Sequence, residues 1–303
     1  MKKLIEISQF VLVLLGLALI GLFATTSLGA LPLSGNAQQW TIFAGQNILA
    51  FIIPTLLMWR ICFKAHPLRA IEADSLPSMK MMGIALLLYL AGMPALNQIV
   101  YWNQEMHLPE FMAGFEQWSR EMEQLAEEQT KGLLSATGLL PTLMNIFVIG
   151  VLTGIGEEFF FRGALQRGLA WCGVNPHRAI WISAIIFSAI HFQFYGFVPR
   201  MLLGALFGYL YWWSGNIWIN AFAHALNNSL VIISTWCINK GMLSEEFDMM
   251  GVAEGGFPTA AAVSAIATGA IIYFLHVRGI LKGRDIRPTD TTSKLSAHAT
   301  EIE

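Results

Sequence analysis

Two adjacent carboxylates lie inside an apolar run, Gly154-Ile-Gly-Glu157-Glu158-Phe-Phe-Phe-Arg162. A charged side chain at the centre of a bilayer costs about 2.5–3.5 kcal/mol even on the lenient insertion scale. Two further apolar runs carry polar groups. One holds His191, in Phe187-Ser-Ala-Ile-His191, and the other holds Asn220, His224, Asn227 and Asn228. A carboxylate shielded from water can act as a general base, and imidazole and carboxamide N–H groups can stabilise an oxyanion. Together they suffice for peptide-bond hydrolysis without a covalent intermediate.

Spacing sorts these residues into roles. Glu158 and Arg162 are four apart, with the acid on the N-terminal side, the favourable order for an ion pair on a helix. Glu157 is turned about 100° away and need not share that arginine. No basic partner of its own is visible, so it is left to face a cavity. Asn220, His224 and Asn228 form one stripe at four-residue spacing, with Asn227 pointing elsewhere. Counted from the expected span ends, Glu157, His191, His224 and Asn228 fall at overlapping depths and can meet at one level of the bilayer.

The elements that must position them are membrane helices. The chain has 303 residues, 55% apolar and 13% charged, with mean hydropathy +0.56, against about 25% charged in a soluble domain. The expected fold is all-α and polytopic. Eight spans of about 20 apolar residues each are read at roughly 9–26, 41–63, 79–100, 142–171, 178–195, 199–214, 216–238 and 258–277. They form a single transmembrane domain over 1–287, with a disordered, Thr/Ser-rich cytoplasmic tail at 288–303. The net charge of −2 comes without a basic stripe, so nucleic acid is not an expected partner. Cys62, Cys172 and Cys237 match no zinc or redox spacing and read as small buried hydrophobes.

Lysines and arginines cluster before the first span, between the second and third, around the turn after the fourth, and after the eighth. The positive-inside rule makes that side cytoplasmic, with both termini on it. The loop 101–135 stands apart. Apolar residues recur in it at helical spacing, and seven glutamates face only Arg120 and Lys131, a net charge of −5. It reads as an amphipathic helix, about 105–131, on the outer surface. If it gates the cavity, deleting 108–130 should change substrate range and leave the site intact.

The three motifs, Glu157-Glu158-x-x-x-Arg162, Phe187-x-x-x-His191 and His224-x-x-x-Asn228, resemble the CPBP family. These are the CAAX proteases and bacteriocin-processing enzymes, also called the Abi family. The resemblance covers about 140–235, and every motif position is present. It implies an intramembrane glutamate endopeptidase acting on a peptide or membrane-protein substrate, and the short loops and lysine-rich start suggest a multi-pass protein of a bacterial inner membrane. Carried over, Glu157 is the base, His191 helps hold the water, and His224 and Asn228 form the oxyanion hole, with Glu158 and Arg162 supporting. The family has also been described as metal-dependent. In a zinc version Glu157, His191, His224 and Asn228 would be ligands; otherwise no cofactor is expected. A proton-coupled transporter and a non-catalytic scaffold or immunity protein are the other classes such buried polar groups would serve. The physiological substrate and oligomeric state are not legible in the sequence.

Overall fold

The computed structural model describes residues 2–284 apart from 34, 136–137, 245–246, 248 and 256. The expected tail at 288–303 and the expected domain limit at 287 lie outside the described residues. The protein is an all-α polytopic membrane protein, with no strand among the described residues. In hydrocarbon every backbone N–H and C=O must be satisfied within its own segment, which helices do.

The helices are α1 (Lys2–Leu28), α2 (Asn36–Cys62), the short α3 (Pro67–Ala70), α4 (Met79–Gln104), α5 (Ala113–Leu134) and α6 (Leu139–Trp171). They are followed by α7 (Pro176–Ala189), α8 (Phe197–Ser214), α9 (Ile217–Asn239) and α10 (Thr259–Val277). Six of them, α1, α2, α4, α6, α9 and α10, are long and apolar enough to cross a membrane. The expected fifth and sixth spans are the shorter helices α7 and α8, of 14 and 18 residues. Asn175 caps the start of α7 by accepting the His177 N–H, and Pro176 occupies its first turn, where a missing N–H is harmless.

Helix α5 is the expected amphipathic helix. It begins later than 105, after a short 3-10 turn at Glu110–Met112, and ends at Leu134. Phe115, Trp118 and Leu125 remain exposed on it, as on a helix lying in a lipid interface.

The two largest of three buried clusters join most of the bundle. One joins Phe10 and Leu14 of α1, Met58 and Trp59 of α2 and Phe159–Phe161 of α6. The other joins Ile84 and Leu88 of α4, Phe207 and Leu210 of α8 and Ile219 and Ala223 of α9. Phe159–Phe161 are therefore core. Pro94 lies inside α4. There Ser264 of α10 accepts the Ala95 N–H and donates to the Ala91 carbonyl, a repair of the ladder from outside the helix.

Helix α6 is wound as a π-helix over Ile146–Leu152 and again over Phe159–Gln166, immediately after the two glutamates. Such winding is frequent at functional sites. Side chains from neighbouring helices donate to carbonyls of the second stretch: Trp59 Nε1 to Gly163 O (2.9 Å) and Ser183 Oγ to Phe161 O (2.8 Å). Helices α6 and α9 meet along a seam of small residues. A Cβ on Gly150 would lie 2.4 Å from Ser229 Oγ, and one on Gly154 2.8 Å from the Ala225 backbone nitrogen. This close approach brings the glutamates of α6 to the histidine of α9.

At the end of the bundle holding the α6–α7 turn, Glu72 binds Arg167 and Arg284, each at 2.8 Å. Trp212 Nε1 donates to Arg284 O and Trp218 Nε1 to Ala73 O. Both indole N–H groups are thus satisfied at this end of the bundle.

Candidate active site

Glu158 is fully buried and its carboxylate is saturated. Oε1 accepts from Arg162 Nη1 at 2.9 Å and lies 2.8 Å from His224 Nδ1, while Oε2 accepts from Asn220 Nδ2 at 2.6 Å. Arg162, equally buried, spends Nη2 on the Gly204 carbonyl (2.7 Å) and lies over the rings of Phe187 and Phe207. A buried pair of this kind is costly to break, about 3–5 kcal/mol when one partner is removed.

Glu157 stands differently. Its side chain keeps 12% exposure, and among the described residues its one ion-pair contact is His224 Nε2, 3.6 Å from Oε2. The two carboxylates therefore lie on opposite edges of one imidazole. Because a carboxylate only accepts, His224 Nδ1 carries a proton toward Glu158. In the neutral ring Nε2 then holds a lone pair, and it becomes a donor when the ring is doubly protonated. Phe207 stacks on this ring at 5.0 Å, which fixes its plane.

Asn228 lies one turn further along α9. Its Nδ2 donates to the Ile149 carbonyl (3.2 Å), and its Oδ1 accepts from Asn227 (3.0 Å). Tyr89 in turn donates to Asn227 Oδ1 at 3.2 Å. Asn227, expected to point elsewhere, thus orients Asn228.

His191 departs from its expected place. Helix α7 ends at Ala189, so His191 sits in the turn beyond it and not in a span interior. Phe192 after it takes a left-handed backbone (φ 54°), which for a non-glycine residue stores about 1–3 kcal/mol. His191 Nδ1 donates to the Phe187 carbonyl at 2.8 Å, which leaves Nε2 as the lone-pair atom. The Phe187 ring is edge-on to both His191 and His224, at 5.2 and 5.8 Å. Phe187 is thus the wall between the two imidazoles.

Arg200 was not singled out from the sequence. It lies in the first turn of α8, and its charge acts on both Glu157 and His191. The signal was present: an arginine within the expected span 199–214 is itself a flag. Among the described residues, no three His, Cys, Asp or Glu side chains converge as a metal-binding group.

The fold and this cluster define a polytopic membrane protein with two glutamates, two histidines and three asparagines, buried or half-buried, gathered by α6, α9 and the end of α7. Residues 139–230 match the family model described as Type II CAAX prenyl endopeptidase Rce1-like. That segment contains all three motifs, and the match agrees with the CPBP resemblance they carry. Two Bacillus subtilis (strain 168) proteins are similar. "Uncharacterized protein YpbD" is 29% identical over 87 residues, 27% of this chain and 41% of that protein. "Putative membrane peptidase YdiL" is 27% identical over 129 residues, 43% of this chain and 52% of that protein. The chain thus matches about half or less of the length of these relatives. No solved structure matches it.

Proposed function

We propose that the chain is an intramembrane endopeptidase of CAAX type, hydrolysing a peptide bond of a membrane-associated protein or peptide. The observation that carries this reading is the division of labour between the glutamates. Glu158 has every oxygen committed, whereas Glu157 keeps an open edge beside an imidazole. The family match over the same segment supports it.

In the proposed reaction Glu157 takes a proton from water as the water oxygen attacks the peptide carbonyl carbon. His191 Nε2 accepts the water's other hydrogen and orients it. The new oxyanion is held by Asn228 Nδ2 and by the doubly protonated His224 through Nε2. Glu158 favours that charged ring by accepting from Nδ1, and Arg162 balances Glu158. The C–N bond then breaks, and Glu157 passes its proton to the leaving amine. Oxyanion donors of this kind are each worth about 10²–10³ in rate. The step is drawn with the chain's own residues alone, and the chelator arm below tests the zinc alternative. We further propose an inner-membrane location with the basic bundle end and both termini cytoplasmic, on the positive-inside argument.

The test is cleavage of a quenched-peptide pool or a membrane proteome by the purified protein, wild type beside Glu157→Gln, with and without chelator. Activity absent from the variant and resistant to chelation supports the scheme. Loss to chelator with rescue by Zn²⁺ would make Glu157, His191, His224 and Asn228 metal ligands. A variant that cleaves like wild type would remove Glu157 from the chemistry.

A further inference from the structure

One cationic group beside the site has no role in the reaction above. Arg200 donates from Nη2 to Gln193 Oε1 at 2.6 Å, while its Nη1 is enclosed without a partner among the described residues. Among the described residues it makes no ion pair with Glu157 or Glu123, although the charges of both act on it. The guanidinium lies against Gly196, where a Cβ would come within 2.8 Å of Nη2. The Gly196 N–H donates to Glu123 Oε1 at 3.1 Å. Glu123 belongs to the amphipathic helix α5, which is pinned to the same turn by Arg120 over the Tyr195 ring (4.4 Å) and by Phe115 against Phe194 (5.3 Å).

A carboxylate of the chain's own surface helix therefore occupies a backbone N–H next to a guanidinium that holds its Nη1 N–H groups in reserve. A buried donor left without an acceptor costs about 1–3 kcal/mol and calls for an explanation. Structural neutralisation does not supply one, because neither acid closes a bond to Arg200. A planar guanidinium with a free edge is suited to receive a carboxylate on two N–H groups.

We propose that Arg200, with the Gly196 N–H, receives a carboxylate of the substrate, and that Glu123 holds this place in the substrate-free chain. The inference rests on the endopeptidase reading for the word substrate and on the Arg200–Gly196–Glu123 geometry for the site. The carboxylate can be the C-terminus of the peptide or an acidic side chain near the scissile bond. In either case α5 acts as an internal competitor, and binding requires Glu123 to leave.

The experiment uses the full chain carrying Glu157→Gln, so that no probe is consumed. Three fluorescein-labelled hexapeptide pools, randomised over apolar residues, are titrated by fluorescence anisotropy: free acid, C-terminal amide, and amide with one glutamate at the penultimate position. The expected result is that the free-acid or the glutamate pool binds about 10- to 100-fold more tightly than the plain amide, the range for a hydrogen bond to a charged group. The favoured pool identifies the source of the carboxylate. Adding Arg200→Gln should bring that ratio to about one, and adding Glu123→Gln should tighten the favoured pool. If Arg200→Gln does not fold, Arg200→Lys keeps the charge without the planar fork and must still reduce the ratio. No preference, or no measurable binding of any pool, overturns the proposal, as does a preference that survives loss of the guanidinium. Weaker binding after Glu123→Gln would overturn the competitor role. A wild-type chain that hydrolyses nothing while the Arg200-dependent preference holds would defeat the endopeptidase reading alone. Cleavage that is intact but indifferent to carboxylates would defeat this inference alone.

Discussion

Gly154 sets the distance between the two halves of the site. It faces α9 at Ala225, the residue after His224. Replacing it by alanine would place a methyl 2.8 Å from Ala225 N, 3.1 Å from its Cα and 3.2 Å from its Cβ. Carbon needs about 3.5–4.0 Å. None of these atoms can rotate away, so α6 and α9 must part by roughly 1 Å. Glu157 is less than one turn from Gly154. The 3.6 Å between Glu157 and His224 should open by a similar amount. A displacement of about 1 Å can cost on the order of 10²-fold in rate, and overpacking a tight seam costs about 1–3 kcal/mol. Gly150→Ala is the internal control. Its methyl would meet the Ser229 hydroxyl at 2.4 Å, but the next atoms of Ser229 lie at 3.5 and 3.6 Å. The hydroxyl can turn aside, so the helices need not separate. Peptide cleavage in proteoliposomes and the thermal midpoint should both show Gly154→Ala far below Gly150→Ala. Wild-type rate and midpoint for Gly154→Ala would refute the reasoning, and equal losses in the two variants would show that the seam does not act through His224.

Other outcomes follow from the same geometry. Glu157→Gln should abolish cleavage with little change in thermal midpoint, since the side chain has one long ionic contact. Glu158→Gln should lose activity and also about 3–5 kcal/mol of stability, because Arg162 is left buried and uncompensated; differential scanning of the two variants separates them. Deleting 113–134 should reduce cleavage of every substrate tested, contrary to the selective effect expected for a simple lid, because α5 holds the turn that follows His191; full activity on some substrates with gain or loss of others would restore the lid. Outside the membrane, the Arg120 side chain and the Leu108 N–H hold Glu116 well below its ordinary value of 4.5, at about 2. The Glu116 anchor should therefore be at full strength above about pH 4.5 and fade as pH falls through about 2. The Trp118 environment, read by fluorescence, should change over that acid range in wild type, and in Glu116→Gln this transition should disappear.

The sequence by itself determined the class of fold and the chemical inventory. Long apolar runs have one solution in hydrocarbon, so their helices were legible from composition alone. Four-residue spacing paired Glu158 with Arg162 and aligned Asn220, His224 and Asn228, because helical periodicity is local. Spacing left Glu157 unpaired, but only the tertiary structure decided that Glu158 is saturated. That depends on His224 and Asn220 arriving from α9, at a distance set by Gly150 and Gly154. It also decided that His191 stands beyond the end of α7, since the stop at Ala189 carries no glycine or proline signal. Arg200, Glu123 and the turn at Gly196 are brought together from segments about 70 residues apart. No spacing rule reaches across that separation, because such contacts are made by packing between helices and not along them.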